Sequence, residues 1–281
     1  MSAPVEHGLY IVATPIGNLG DLSHRAEEIL AAADIILVED SRVTGKLLNY
    51  IGKKKKMMVY NDHKGAAERQ EILAAIGCKI VALVSDAGTP LISDPGYKLV
   101  REAQAAGAYV TTIPGPSAAI AALTLSGLPS DRFLFEGFLP SKTKARSEVL
   151  AELAPIKTTL IFYENGARLG GMLADTLAVL GDRPAAVIRE ITKKFEETVT
   201  GDLSELAERY AGEKPKGEIV VVVGPPLAED AASISDIEAA LRTALERLPA
   251  SKAAGEVART YGVDRKQLYE LTNRWKAESQ Q

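Results

Sequence analysis

The sequence predicts an α/β protein built as two α/β lobes followed by a small helical appendage. Three observations carry this reading. Short apolar runs alternate with helical stretches of about ten residues as far as Ile113, the pattern of parallel strands joined by right-handed crossovers. The punctuation changes at Pro114-Gly115-Pro116, beyond which strand-like runs crowd together. Pro225 and Pro226 then open a segment of small and polar residues that reads as a linker.

Taken in order, Leu9–Ala13 is a short strand running into Thr14-Pro15-Ile16-Gly17-Asn18. A helix from Ser23 places Ala26, Ile29, Leu30 and Ala33 on one face. Ile35–Val38 is a second buried strand, ending in Glu39-Asp40-Ser41-Arg42. Glu68–Ile76 reads as a helix stopped by Gly77, Lys79–Val84 as a strand, and Tyr97–Ala106 as a helix closed by Gly107. Tyr109–Ile113 completes the first lobe. Ser117 leads into the small-residue helix Ala118–Ser126. Arg132–Phe138, Thr158–Tyr163, Ala185–Arg189 and Glu218–Val223 read as strands, with helices near 142–153 and 166–180. This half is expected to be mixed α/β with antiparallel pairs. The resulting boundaries are 1–115, 116–226 and 227–281.

The last segment is expected to hold two helices around the turn Tyr261-Gly262-Val263, the first lined by Ala253, Val257 and Ala258. Asp264 with Gln267 starts the second, which turns Leu268 and Leu271 inward. With Arg265, Lys266 and Arg274 on the outside, the pattern is that of a helix-turn-helix, and equally that of a small packing bundle or dimer arm.

Bulk composition limits the function. At 281 residues, two domains and an appendage are the natural expectation. Hydrophobic content of 46% with 25% charged residues is that of a soluble globular chain, and 5% aromatics implies aliphatic cores. The one cysteine, Cys78, excludes an internal disulfide, and no Cys/His cluster has metal-ligand spacing, so no metal is expected. Met1-Ser2-Ala3-Pro4 shows no signal-peptide pattern and no apolar run is long enough to span a bilayer, so a cytoplasmic protein without a membrane partner is expected. The net charge of −4 argues against general nucleic-acid affinity, and no DNA partner is expected. Charge is nevertheless unevenly spread. Lys53–Lys56 form a run, Lys142, Lys144 and Arg146 form a cluster, and residues 251–281 carry six Lys/Arg against four Asp/Glu. Each taken alone reads as a solvated face.

Five segments of small and polar residues end predicted strands: Thr14–Asn18, Ser85–Pro90, Pro114–Ala118, Phe162–Asn165 and Lys216–Glu218. Backbone approaches a ligand closely where side chains are small, and open α/β sheets bind ligands at strand carboxyl ends. No P-loop, Gly-x-Gly-x-x-Gly or Gly-x-Ser-x-Gly pattern is present, and His7, His24 and His63 are not arranged for a metal. A cofactor with few phosphates, held by backbone and small side chains, fits these segments.

Longer stretches are more specific. Leu9–Leu19, Val84–Gly96, Gly127-Leu128-Pro129-Ser130-Asp131-Arg132-Phe133 and Glu136-Gly137-Phe138-Leu139-Pro140 together resemble the ribosomal RNA small-subunit methyltransferase I family. This is a tetrapyrrole-methylase-like, S-adenosylmethionine-dependent class, and the likeness covers about residues 8–224, with a C-terminal domain similar to that of the family. The resemblance implies a class III fold of two α/β domains with S-adenosylmethionine between them, and 2′-O-methylation of a cytidine ribose in the decoding region of 16S rRNA. It also implies a cytoplasmic homodimer. By resemblance, Pro15 lies in a loop below the cofactor, and Asp86, Ala87 and Gly88, with Leu91 and Ile92, contact it. Ser117 and Ala118 offer N–H groups to its carboxylate. Phe162 and Tyr163 flank the adenine, and Gly217, Glu218 and Ile219 complete that pocket.

One stretch departs from the family. After Phe162-Tyr163-Glu164, relatives usually carry Ser, a small residue or Pro, and then His before the Arg, whereas this chain has Asn165-Gly166-Ala167-Arg168. Only a phosphate contact by Arg168 is expected there. For the chemistry, a ribose hydroxyl is a poor nucleophile, so Glu39, Asp40 and His63 are candidate bases. Arg42 and Lys64 suit phosphates, Glu190 and Lys193 are expected along the cleft with Lys193 toward RNA, and Arg265 and Lys266 suit RNA from the C-terminal unit. Two other readings remain: a corrin-precursor methyltransferase of the same class, and a non-catalytic RNA-binding assembly factor.

Overall fold

A computed structural model describes residues 5–62, 65–226, 234–261 and 263–278. By contacts the chain divides into two units, Met1–Pro225 and Pro226–Gln281. The first unit contains two five-stranded sheets.

The first sheet is parallel, in the order β3-β2-β4-β1-β5. Its strands are β1 (Gly8–Val12), β2 (Ile35–Val38), β3 (Met57–Val59), β4 (Ile80–Leu83) and β5 (Val110–Ile113). Helices α1 (His24–Ala32) and α2 (Ser41–Tyr50) cover one face, and α3 (Ala66–Ile76) and α4 (Tyr97–Ala105) the other. Strand alternation divides the core accordingly. Tyr10, Val12, Ile36 and Ala82 meet Leu30 and Leu47, whereas Leu9, Leu37, Val81 and Leu83 meet Ile72 and Leu99. Because both faces are covered, β2 is buried along its length and reads as a continuous apolar run.

The second sheet is mixed, in the order β6-β7-β10-β8-β9, with β6 parallel to β7 and the other pairs antiparallel. It comprises β6 (Phe133–Phe138), β7 (Thr159–Asn165), β8 (Pro184–Arg189), β9 (Glu197–Asp202) and β10 (Glu218–Val223). On one face lie α6 (Thr143–Leu153), α7 (Leu169–Leu180) and α8 (Leu203–Arg209). On the other lies α5 (Ala118–Ser126), whose Ala119, Ala122 and Leu123 pack on Ile161, Ile188 and Val220. Ile16 of the first lobe joins that last cluster, so the two lobes share a core.

Four elements exceed the sequence reading, namely α2, β3, β9 and α8. The α2 segment contains Val43, Thr44 and Gly45, which are weak helix formers. It folds because Asp40 caps it, accepting from the Arg42 N–H at 2.8 Å, and because Thr44, Leu47 and Leu48 are buried. Strand β9 alternates half-buried and exposed residues on a sheet edge and carries little apolar signal.

The C-terminal unit has three helices where two were expected: α9 (Ile234–Leu245), α10 (Ala250–Tyr261) and α11 (Arg265–Glu278). Helix α9 begins inside the stretch read as a linker. Leu241 and Ala244 of α9 close a core with Ala253, Val257 and Leu268, and the Arg242 guanidinium lies 4.0 Å from the centre of the Trp275 ring. The expected turn residue Gly262 and most of the linker lie outside the described residues. Among the described residues, no helix is long and apolar enough to cross a membrane.

Two adjacent glycines of α7 differ in their surroundings. A Cβ on Gly170 would stand 2.5 Å from the Tyr210 carbonyl oxygen, where α7 meets the end of α8, whereas on Gly171 its nearest neighbour is Arg146 Nη2 at 3.8 Å. Gly170→Ala is therefore expected to destabilise the protein by about 1–3 kcal/mol through overpacking. Gly171→Ala is expected to be neutral or to stabilise by up to about 1 kcal/mol. Denaturant unfolding of the two variants checks the contrast.

Candidate functional site

The chain crosses from one side of the first sheet to the other around β1, which lies between β4 and β5. Ligands gather beyond such a switch point. There the loops after β1 and β4 are joined by a backbone pair: Thr14 N–H donates to the Gly88 carbonyl at 2.9 Å and Gly88 N–H to that of Thr14 at 3.1 Å. Gly88 has φ +82°, which suits glycine. Thr89 Oγ1 donates to the Pro116 carbonyl at 3.0 Å, tying the loop after β4 to the loop after β5.

Between these loops and the second sheet lies a cleft of about 360 Å³, within the range of small-molecule pockets. The first lobe lines it with Ile16, Glu39, Asp86–Thr89 and Ile92–Asp94, and the second with Ser117, Ala118, Phe138, Tyr163–Asn165, Ile191 and Gly217–Val220. All five small-residue segments therefore reach it.

Its lining carries carboxylates from both lobes. Glu39, Asp86 and Asp94 come from the first, and Glu164, paired with Arg168, and Glu218, paired with Lys193, from the second. Partial burial pushes the Glu39 carboxyl above its usual range, and the nearby Asp94 and Asp86 charges push it further. Burial likewise raises Asp94, with Asp86 adding to it against a hydrogen bond from Ser85. Asp86 Oδ1 accepts the Asp40 N–H at 3.0 Å, which fixes its orientation. The second lobe brings the start of α5 to the cleft, where Ser117 makes no side-chain cap. The Tyr163 hydroxyl meets the backbone of Ala119 there, and burial holds its pKa above the usual value. Phe135 and Phe138 pack edge-on against the Tyr163 ring. A carboxylate cluster, open helix N–H groups and an aromatic ring in one lining suit a ligand with a cation at one point and a carboxylate at another.

Several expected site residues converge on this cleft: Asp86, Ala87, Gly88, Ile92, Ser117, Ala118, Tyr163, Gly217, Glu218, Ile219 and Glu39. Pro15 adjoins the lining residue Ile16. Phe162 does not flank a ligand. The two-residue period of β7 turns its ring away from Tyr163 into the core under α6 and α7, where it is fully buried. Leu91 packs against the core of the first lobe, leaving Ile92 to line the cleft. Asp40 caps α2 and binds Arg42 through both oxygens. The Arg42 hydrogen bonds pull Asp40 down to about 2, too weak a base for proton abstraction near neutrality.

Arg168 is engaged inside the protein, with Nε 3.1 Å from Glu164 Oε1 and Nη2 donating to the Leu139 carbonyl at 2.6 Å. Lys193 Nζ lies 2.9 Å from both Glu190 Oε1 and Glu218 Oε2. Arg265 donates to the Ser251 hydroxyl at 2.9 Å, while Lys266 is exposed. His63 and Lys64 lie outside the described residues. The sequence reading passed over Thr89, Ser93, Asp94, Phe138, Ile191 and Val220. Asp94 was discoverable as a carboxylate closing the Gly88–Gly96 stretch, whereas Ile191 and Val220 carry only a core signal. Among the described residues, no group of three His, Cys, Asp or Glu side chains is placed to hold a metal ion.

Comparison with known proteins agrees with this architecture. Residues 8–207 match the family model of tetrapyrrole (corrin/porphyrin) methylases, and residues 231–276 match that of the RsmI C-terminal HTH domain. A ribosomal RNA small subunit methyltransferase I of Erythrobacter litoralis is 57% identical over 95% of this chain and 94% of its own length. Those of Mesorhizobium japonicum and Escherichia coli O157:H7 are 50% and 43% identical, over 95% and 93% of this chain and 91% and 93% of theirs. Among solved structures, diphthine synthase superposes with a TM-score of 0.59 at 17% identity, over 77% of this chain and 89% of its own. Uroporphyrin-III-C-methyltransferase from Thermus thermophilus gives 0.56 at 20% identity, over 78% and 94%. These two share the fold. On matches that span nearly its whole length, the chain belongs to the ribosomal RNA small subunit methyltransferase I family, within the tetrapyrrole methylases.

Proposed function

We propose that this protein transfers the methyl group of S-adenosylmethionine to the 2′-hydroxyl of a cytidine ribose in the decoding region of 16S rRNA, on the small ribosomal subunit. The observation that carries this reading is a single cleft that joins the Glu39, Asp86 and Asp94 carboxylates to an uncapped helix start, in a chain of this family. Asp86, with Glu39 and Asp94 beside it, is placed to receive the ammonium and sulfonium charges of the cofactor. The open N–H groups after Ser117 receive its carboxylate, and Tyr163 with Ile219 borders the adenine. The sulfonium, once bound, supplies an already activated methyl group.

The protein's own task is alignment and removal of one proton. Glu39 suits the second task, because its raised pKa brings it closer to neutrality than an ordinary carboxylate. Asp40 acts on Arg42, whose exposed guanidinium is directed outward to phosphate. Lys266 supplies a second RNA contact from the C-terminal unit, with Arg265 supporting α10. The protein works in the cytoplasm as a homodimer. Helix α5 carries no charged residue, and its exposed Ile120 and Leu125 offer an apolar face for a second copy.

Tritiated S-adenosylmethionine is expected to label 16S rRNA in intact small subunits at one cytidine ribose, and naked rRNA far less. Binding of the cofactor without transfer to either would favour a corrin-type small-molecule substrate. No saturable cofactor binding would favour an assembly factor.

Asp86 and Glu39 are expected to fail in different ways. Asp86→Ala should weaken cofactor binding by about tenfold or more, consistent with loss of a charge-assisted contact. Glu39→Gln should leave binding within a few-fold and lower kcat by about 10²–10⁴. In the wild type, kcat/KM should fall as pH drops through the raised Glu39 value of the free protein, because protonation removes the base. Loss of that acidic limb in Glu39→Gln, measured under single-turnover conditions, checks the assignment.

A further inference from the structure

Behind the cleft wall, the turn Glu190-Ile191-Thr192-Lys193 combines several unusual features. Glu190 and Thr192 both lie at positive φ, +53° and +65°, which for the β-branched Thr192 is a genuine backbone outlier. The Thr192 hydroxyl oxygen is shielded from solvent and has no hydrogen-bond partner among the described residues. These two conformations bracket Ile191 and turn it onto the cleft, in the same apolar cluster as Ile16 of the first lobe.

Lys193 joins the pieces from behind. Its ammonium lies 2.9 Å from Glu190 Oε1 and 2.9 Å from Glu218 Oε2, and Glu190 Oε1 also accepts the Glu218 N–H at 3.1 Å. Its aliphatic stem rests on the loop after β1. A Cβ on Gly17 would stand 2.5 Å from Lys193 Cγ and 2.8 Å from Cε. On the far side, Gly217 at φ +104° leaves room for the Glu190 carboxylate, with which a Cβ would collide. Lys193 thus touches the first lobe beside Ile16 and the second lobe at Glu218, both of which line the cleft. With one cation against two carboxylates, the Lys193 charge is neutralised within the protein.

We propose that Lys193 is a positioning residue: with Glu190 and Glu218, and resting on Gly17, it is a latch that fixes the two lobes at the spacing that retains the cofactor. The ammonium remains charged across ordinary pH. Its partial burial would lower the pKa, but the hydrogen bonds to Glu218 and Glu190 outweigh this and raise it. This inference rests on the cofactor reading above.

The test compares full-length wild type, Lys193→Met, Lys193→Arg, Lys193→Ala, Gly17→Ala and the Gly17→Ala/Lys193→Ala double variant. Lys193→Met keeps an aliphatic stem but frees it from the two carboxylates that hold it against Gly17. It is expected to speed dissociation of tritiated S-adenosylmethionine about tenfold and to raise the cofactor KM similarly. The kcat at saturation should stay within about threefold, and affinity for small subunits should be unchanged. Lys193→Arg should restore most of the retention, because a guanidinium can serve both carboxylates. Gly17→Ala should speed dissociation in the wild-type background and add less in Lys193→Ala, where no stem remains to displace. This coupling keeps the test decisive where one variant folds poorly. Cofactor dissociation within twofold of wild type in Lys193→Met overturns the latch. So does weaker small-subunit binding with a log–log salt slope reduced by about 0.7–0.9, since that is the signature of a phosphate contact. A wild type without saturable cofactor binding would instead overturn the cofactor reading, and the latch with it.

Discussion

The two-way backbone pair between Thr14 and Gly88 is the constraint on which the rest of the cleft depends. It joins the loops leaving two neighbouring parallel strands, β1 and β4, at the end where their ladder has finished. Such loops would otherwise diverge toward their separate helices. Held together, they form a floor on which Ile16 and the 86–89 segment stand side by side. Thr89 extends the tie to Pro116, so that the start of α5 is placed from the first lobe although α5 packs on the second sheet. The small residues in these loops are what allow three backbones to approach so closely.

That arrangement also accounts for the electrostatics. Carboxylates at the ends of β2 and β4 fall on one wall because parallel strands all end on the same side. Glu39 and Asp40 are neighbours in sequence yet titrate in opposite directions. Glu39 faces the cleft and its acidic neighbours, whereas Asp40 faces the α2 backbone and Arg42. Environment alone separates the two carboxyls. A ligand cation entering beside Glu39 and Asp86 relieves the repulsion among the carboxylates, so binding and proton removal draw on the same cluster.

Much of this was legible from residue pattern. The runs Leu9–Ala13, Ile35–Val38 and Ile80–Val84 are apolar because both sheet faces are covered, and they stand out without any partner information. The small-residue segments were legible as cleft-formers for the same local reason. What escaped depends on tertiary context. Helix α2 is held by a cap and three buried side chains against its own propensity. Phe162 and Tyr163 must point to opposite faces of β7, but which of them meets the cleft is decided by the helices packed on each face. Lys193 reads as a free cation because its carboxylate partner Glu218 lies on another strand, 25 residues away.

The segment Asn165-Gly166-Ala167 shows how close backbone packing shapes the cleft. A Cβ at Gly166 would overlap the Pro215 carbonyl, so in this protein the loop before β10 descends directly onto the end of β7. Pro215 is followed by Lys216 and then by Gly217 and Glu218, which line the cleft. Glycine at 166 therefore sets how near that loop comes to Tyr163 and Asn165. Behind it, Glu164 is buried, takes the Asn165 N–H at 2.8 Å and meets Arg168, which in turn holds the Leu139 carbonyl beside Phe138. The strand end is thus fixed from beneath by charge and from above by backbone packing. Gly166 is the contact that brings the Gly217–Glu218 side of the cleft against the end of β7.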